Sequence, residues 1–358
     1  VKVPTAGGKT FIACNALRTL FDAMPPNRTK AVAWFVPSDT ILKQTYENLR
    51  NPQHPYRQRI DTLFNGRVEV YDKQALLFGQ NFNPTVIKEQ LSIFVLSIQS
   101  FATKATDKRL VYNENENLAE FVKTYSSDEK SIEGADETSL IRVIAHLNPV
   151  MIIDESHNFE GDLRTDTLTN IKPCFVLNLT ATPRNRSNII SFVDPASLKR
   201  ENMVKLPVMV SNYQNHADVL NIAIALRDNL EEKAKAEEVN GGDYIRPIVL
   251  IQAQPRNDED SVTFSTIRAK LVKAGIPEEE IKIKTASLNE LKGIDLMGRE
   301  CPVRYIITVN ALKEGWDCPF AYILASTANR SSRIDVEQIL GRILRQPYTR
   351  QHGNALLN

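Results

Sequence analysis

Short runs of β-branched, aliphatic and aromatic residues punctuate the chain at 31–36, 67–71, 93–97, 150–153 and 175–179. They resume at 248–251, 281–284, 305–309 and 321–325. Read as apolar strands separated by helical stretches, they predict parallel sheets covered by helices on both faces. The stretch 11–23 opens a helix directly after a glycine pair. A second helix is expected over 217–239, stopped by Asn240-Gly241-Gly242. Residues 103–148 are rich in Glu, Asn and Ser and end on a helical pattern over 138–147, which predicts an inserted surface helix pair. A segment with Pro207 interrupts the alternation, so the expected domains are 1–205 and 206–358.

The length of 358 residues also favours two domains. With 42% hydrophobic and 24% charged residues, neither a disordered chain nor a fibre is expected. No apolar run reaches the roughly 18–20 residues of a membrane span, and no signal-peptide pattern is present, so a cytoplasmic protein is expected. Internal repeats are absent. Because 44 Lys and Arg balance 43 Asp and Glu, the net charge is +1 and no global positive field surrounds the chain. A polyanion must therefore be gripped locally. Cys14, Cys174, Cys301 and Cys318 lack metal-ligand spacing and are expected to be reduced, buried thiols. Val1 is no initiator, and the sequence reads as cut from something longer.

Val3-Pro4-Thr5-Ala6-Gly7-Gly8-Lys9-Thr10 fits the end of the pattern GxxxxGK[ST]. Small residues let backbone N–H groups close around phosphate oxygens, and Lys9 adds a point charge. The Thr10 hydroxyl can ligate Mg²⁺. The other reading is a glycine-rich turn before a helix. Val150-Met151-Ile152-Ile153-Asp154-Glu155-Ser156-His157 is a buried strand ending on two carboxylates. Such an ending is costly unless the charges meet a cation or solvent. Asp154 could hold Mg²⁺ while Glu155 deprotonates a water, or the strand could simply run into a solvated loop.

Asn178-Leu179-Thr180-Ala181-Thr182-Pro183 ends another apolar strand on two hydroxyls. Near the C-terminus, Gln338-Ile339-Leu340-Gly341-Arg342-Ile343-Leu344-Arg345 sets two arginines three apart, on one face of a helix. They could address a transferring phosphoryl group together or form a solvated basic stripe. Between these lies Asn310-Ala311-Leu312-Lys313-Glu314-Gly315-Trp316-Asp317-Cys318-Pro319, where Gly315 permits a tight turn beside the Asp317 carboxylate. Trp316 could stack a base or pack as an ordinary aromatic.

Taken in order, these stations resemble the superfamily 2 helicase core, and LKEGWDCP followed by QILGRILR resembles most closely the Res subunit of type III restriction enzymes. PTAGGKT is similar to motif I, FVPS to motif Ia, DESH to motif II of the DEAH form, TAT to motif III. The departures are Thr5-Ala6 where the family has Thr-Gly, Ser156 for Ala, and Thr308 one position early. The resemblance implies an α/β fold of two tandem RecA-like parallel-sheet domains with an ATP cleft between them. It also implies ATP and Mg²⁺ as cofactors. Gly7, Gly8, Lys9, Thr10, Gly315 and Asp317 would bind nucleotide, and Thr10 and Asp154 the metal. Glu155 would activate water, and Gln338, Arg342 and Arg345 would stabilise the γ-phosphate. His157, Thr180 and Thr182 would couple hydrolysis to a nucleic-acid face using Pro37, Ser38, Ser100 and Asn310. The implied function is an ATP-dependent DNA translocase or helicase-like motor of a restriction or related phage-defence system, binding DNA largely without regard to sequence beside a methyltransferase (Mod) partner. Endonuclease activity would require a further C-terminal domain. A DEAH-type RNA helicase and a non-hydrolysing, ATP-binding DNA switch are the competing expectations.

Overall fold

The computed structural model describes residues 1–4, 6–97, 110–126, 131–154, 162–183, 188–213, 215–254, 263–285, 287–309, 318–327, 340–341 and 343–358. The chain divides into two compact units, Val1–Val3 with Gly8–Phe192, and Pro4–Gly7 with Val193–Asn358.

The first unit is built on five parallel strands, β1 (Lys30–Val36), β2 (Val68–Tyr71), β3 (Leu91–Ser97), β4 (Val150–Asp154) and β5 (Phe175–Leu179), in the order β2-β3-β1-β4-β5. Strand side chains alternate between faces. On one face Ala33, Phe35, Phe94, Leu96 and Ile153 pack in one apolar cluster. On the other, Trp34, Val36, Val95 and Ile152 pack with Ala13, Cys14 and Leu17 of helix α1 (Lys9–Asp22) and with Ile60 and Phe64 of α3 (Pro55–Phe64). Both faces are dry, which is why the strands read as unbroken apolar runs. Helix α2 (Asp39–Arg50) follows β1.

Much of the described part of the polar stretch is exposed over 113–124, but its last helix is not a surface element. The helix Leu140–Leu147 is buried along nearly its whole length, in one cluster with Val111, Tyr112, Leu118 and Phe121. Even Arg142 is only 5% exposed, its guanidinium 5.1 Å from the centre of the Tyr125 ring. Polar residues flank this helix and disguise an apolar octapeptide that belongs to the core.

The second unit carries four parallel strands, β6 (Ile248–Gln252), β7 (Ile281–Lys284), β8 (Tyr305–Thr308) and β9 (Ala321–Ser326), in the order β7-β8-β6-β9. Ile248, Leu250 and Ile306 face Ala234 and Phe320. Val249, Ile251 and Ile307 face Ile267 and Leu271. The long helix spans His216–Val239. All four cysteines are free, but only Cys14 and Cys318 are buried; Cys301 is half-buried and Cys174 exposed, contrary to the expectation of four buried thiols. Burial pushes the Cys14 thiol up to about 12, so it is an apolar filler and no nucleophile.

Candidate nucleotide site

The glycine-rich loop begins as a strand would. Lys2 bridges Thr180 in parallel on one side and Phe192 on the other. Val3 N–H donates to the Thr180 carbonyl at 3.0 Å, Thr180 N–H to that of Val1 at 3.2 Å, and Lys2 N–H to that of Ser191 at 2.9 Å. The stem thus lies against the outer side of β5, and the chain leaves the sheet at its carboxyl edge after the fully buried Val3. A turn follows in which Gly7 N–H donates to the Pro4 carbonyl at 3.0 Å.

Two residues of this turn are left-handed, Ala6 at φ 70° and Gly8 at φ 73°. A Cβ on Gly8 would meet no heavy atom within 4 Å, so torsion rather than space demands glycine there. Ala6 adopts the same torsion with a Cβ, at a position where the resembling family has glycine. Gly8 is the N-cap of α1, which has no side-chain cap and no acidic residue in its first turn. Nothing of the helix's own thus competes with an anion at its positive end.

Three other predicted stations end strands of the same sheet. Asp154 closes β4 after four buried residues and is itself half-buried, in register with Leu179 of β5. Strands lie about 4.8 Å apart, so β4 is two strand spacings, about 10 Å, from the stem. Thr180 follows β5 directly, is 3% exposed, and its Oγ1 accepts the Thr182 N–H at 3.1 Å. The Thr182 hydroxyl is buried with no hydrogen-bond partner among the described residues. At the end of β1, Pro37 is buried and Ser38 caps α2, its Oγ accepting the Ile41 N–H at 3.5 Å. That bond leaves the Ser38 O–H able to donate. The loop stem, Asp154, Thr180, Thr182, Pro37 and Ser38 therefore share the carboxyl edge of one parallel sheet, where ligands of open α/β sheets bind.

In the second unit, Arg345 pairs in an antiparallel bridge with Val204. Ser100, Glu155, His157, Asn310, Gly315, Asp317, Gln338 and Arg342 lie outside the described residues. The structure adds polar groups that sequence reasoning missed. Gln252, ending β6 and 2% exposed, accepts the Ser326 hydroxyl at 3.0 Å through Oε1, and its carbonyl accepts Thr327 N–H at 3.0 Å. The Thr308 hydroxyl, ending β8, is buried without a hydrogen-bond partner among the described residues. Their signal was available: each is a polar residue closing an apolar strand, as Asp154 is.

The donor set suits a magnesium nucleotide. Mg²⁺ is commonly held by one or two carboxylates together with substrate phosphates. Asp154 and the Thr10 hydroxyl match that demand. No group of three or more acidic, His or Cys residues able to hold a metal occurs among the described residues. No helix among the described residues is long and apolar enough to cross a membrane.

The family model described as "Type III restriction enzyme, res subunit" matches residues 1–185. No protein of curated description matches the chain. Among solved structures, the ATP-dependent Type ISP restriction-modification enzyme LlaBIII bound to DNA superposes over 96% of this chain and 25% of its own, with a TM-score of 0.52 at 14% identity. The Mycobacterium smegmatis helicase Lhr bound to ssDNA and AMP-PNP covers 96% of this chain and 41% of its own, with a TM-score of 0.46 at 15% identity. S. cerevisiae Dbp5 bound to RNA and ADP BeF3 gives 95%, 74%, 0.44 and 13% in the same measures. The chain thus spans a quarter of LlaBIII and less than half of Lhr. Its two parallel sheets are those of tandem RecA-like domains.

Proposed function

Since the chain belongs to the family of type III restriction enzyme res subunits, we propose that it is the motor part of such a system, an ATP-dependent DNA translocase. The observation that carries this reading is the shared sheet edge: the loop stem pairs with Thr180 at 3.0 Å, Asp154 ends the strand beyond β5, and α1 starts uncapped. In this reading Gly7, Gly8 and Lys9 bind the phosphates, while Thr10 and Asp154 hold Mg²⁺, which supplies charge neutralisation on the triphosphate. Glu155 accepts the proton of the attacking water. Gln338, Arg342 and Arg345 stabilise charge developing on the γ-phosphate, the role a positioned guanidinium fills in such transfers. Thr180, Thr182 and His157 relay the phosphate's presence to a DNA face that includes Pro37, Ser38, Ser100 and Asn310. Gly315 and Asp317 belong to the nucleotide site.

Contacts of that face go to the phosphate backbone, so affinity falls with salt and varies little with sequence. Target recognition then rests on a Mod-type methyltransferase partner, and endonuclease activity would require a further C-terminal domain. ATP hydrolysis measured with duplex DNA, single-stranded DNA and RNA tests the proposal. Stimulation by DNA is the expected result; stimulation by RNA alone overturns it in favour of an RNA helicase. Glu155→Gln is expected to bind ATP normally while hydrolysis falls at least about 10²-fold, the scale of a positioned acid–base group. A wild-type chain that binds ATP and DNA without turnover would instead be a switch.

A further inference from the structure

Helices α1 and α3 run side by side in the same sense. Asn15 Oδ1 accepts a hydrogen bond from Arg59 Nε at 2.6 Å, and Arg18 Nη1 donates to the Leu63 carbonyl at 3.2 Å. Further along, Phe21 meets Phe64 edge to face, with ring centres 6.2 Å apart. Ahead of these pairs, at the phosphate-loop end of both helices, stand Phe11 and Tyr56. Their ring centres are 6.2 Å apart and their planes are inclined by 32°. His54, the N-cap of α3, accepts the Tyr56 N–H through Nδ1 at 3.2 Å, and its ring lies 4.4 Å from that of Tyr56, edge on. The far end of this helix pair is closed, since Leu17, Phe21 and Phe64 are buried. The near end is open, with Phe11 41% exposed.

Phe11 is the third residue of α1, about 4.5 Å along the axis from Gly8 at 1.5 Å per residue. Ile12 N–H is the first to find a helical acceptor, the Gly8 carbonyl at 3.0 Å. The Phe11 amide therefore belongs to the uncapped helix end that favours an anion. In a nucleoside triphosphate the phosphate chain ends on a ribose, and the ribose carries a flat base. Phosphates held at this helix end bring that base within reach of the rings beside it. A single surface phenylalanine asks for no explanation. An aromatic pair, braced by an imidazole and left uncovered beside an anion-binding helix end, suits a planar ligand. We propose that Phe11 and Tyr56 form a shelf on which the adenine base of the bound nucleotide stacks. This rests on the reading of Gly7, Gly8 and Lys9 as the phosphate loop, and it adds the half of the site that holds the base.

The test is equilibrium binding to the full chain, by calorimetry with Mg²⁺ present. The ligands are ATP, inorganic tripolyphosphate, which keeps the phosphates and lacks the base, and a single-stranded DNA. Phe11→Ala leaves the backbone amide in place. It is expected to raise Kd for ATP about 5- to 150-fold, the scale of one lost stacking ring, and to leave Kd for tripolyphosphate within about twofold. Phe11→Trp keeps a stacking face and should hold ATP as tightly as wild type. Should Phe11→Ala not fold, as judged by thermal unfolding, Tyr56→Ala takes its place with the same expectation. An unchanged Kd for ATP in a folded alanine variant overturns the inference. So does an equal loss for ATP and tripolyphosphate, which would mean a disturbed phosphate loop. A loss confined to single-stranded DNA also overturns it, making the pair a platform for nucleic-acid bases. A wild-type chain that binds neither ATP nor tripolyphosphate overturns the phosphate-loop reading itself, so the two failures are distinct.

Discussion

The two units reach the same all-parallel architecture with different interiors. Among buried described residues of the first, Arg142 is the one charged side chain; the rest are apolar apart from Ser and Thr. The second buries Lys205, Arg227, Glu231 and Arg246. Glu231 sits at the centre, paired with Arg227 and receiving a 2.9 Å hydrogen bond from Arg304. Arg246 is 1% exposed and donates to the carbonyls of Val303, Gly298 and Leu296. Dispersion and apolar burial hold the first sheet together, whereas geometry-dependent polar clamps order the loops of the second. A buried charge adds little net stability while paired, but removing its partner leaves it uncompensated. The second unit should therefore be the more brittle one.

The sharpest way to break this contrast is Glu231→Ala, which removes the buried carboxylate that Arg227 and Arg304 share and leaves them the exposed Asp228 and the half-buried Glu280. A loss of about 3–5 kcal/mol is expected in the second unit. In a Trp316→Phe background the remaining tryptophan, the fully buried Trp34, reports on the first unit. Denaturant titration should show the circular-dichroism transition moved while the Trp34 fluorescence transition stays in place. A common shift of both would mean that the interiors do not act separately.

Acid makes the same distinction more gently. Burial alone would raise the Glu231 carboxyl, but the Arg304 hydrogen bond and the charges of Arg227 and Arg304 outweigh it and bring it down from 4.5 to about 2. A group depressed on folding stabilises fully above its unfolded value and loses that contribution as pH falls through the folded one. The second unit should therefore lose up to roughly 3 kcal/mol between about pH 4.5 and pH 2. Glu231→Gln should flatten that part of the profile.

The smallest effect probes torsion instead of charge. A left-handed residue with a Cβ costs roughly 1–2 kcal/mol, and glycine gives back about 0.5–1 through chain entropy. Ala6→Gly should then raise stability by a few tenths to about 1 kcal/mol, read as a higher midpoint of thermal unfolding. An unchanged or lower midpoint would mean that the turn stores no strain at Ala6.

The apolar runs located all nine strands of the described residues, because strands buried on both faces leave no polar interruption in the sequence. They ran short where a strand ends on a polar residue, as at Asp154, Gln252 and Ser326. Of these ends, Asp154 belongs to the proposed site, and it was recognised only because a second carboxylate follows it. Lys205 carried no signal, since its partners are backbone carbonyls more than a hundred residues away and any sequence supplies carbonyls. The helix Leu140–Leu147 was found, but its depth was not: burial depends on neighbours such as Phe121 and Tyr112, which its own polar flanks do not announce.

The stem of the phosphate loop lies between two partners that come much later in the chain, Thr180 on one side and Ser191 on the other. On a ribosome, Lys2 emerges long before either. The loop that would grip the triphosphate must then wait, unlocked, until the segment carrying Ser191 and Phe192 has been synthesised. If the loop grips a triphosphate as proposed, its stem is locked in place only once residues up to Phe192 have been made.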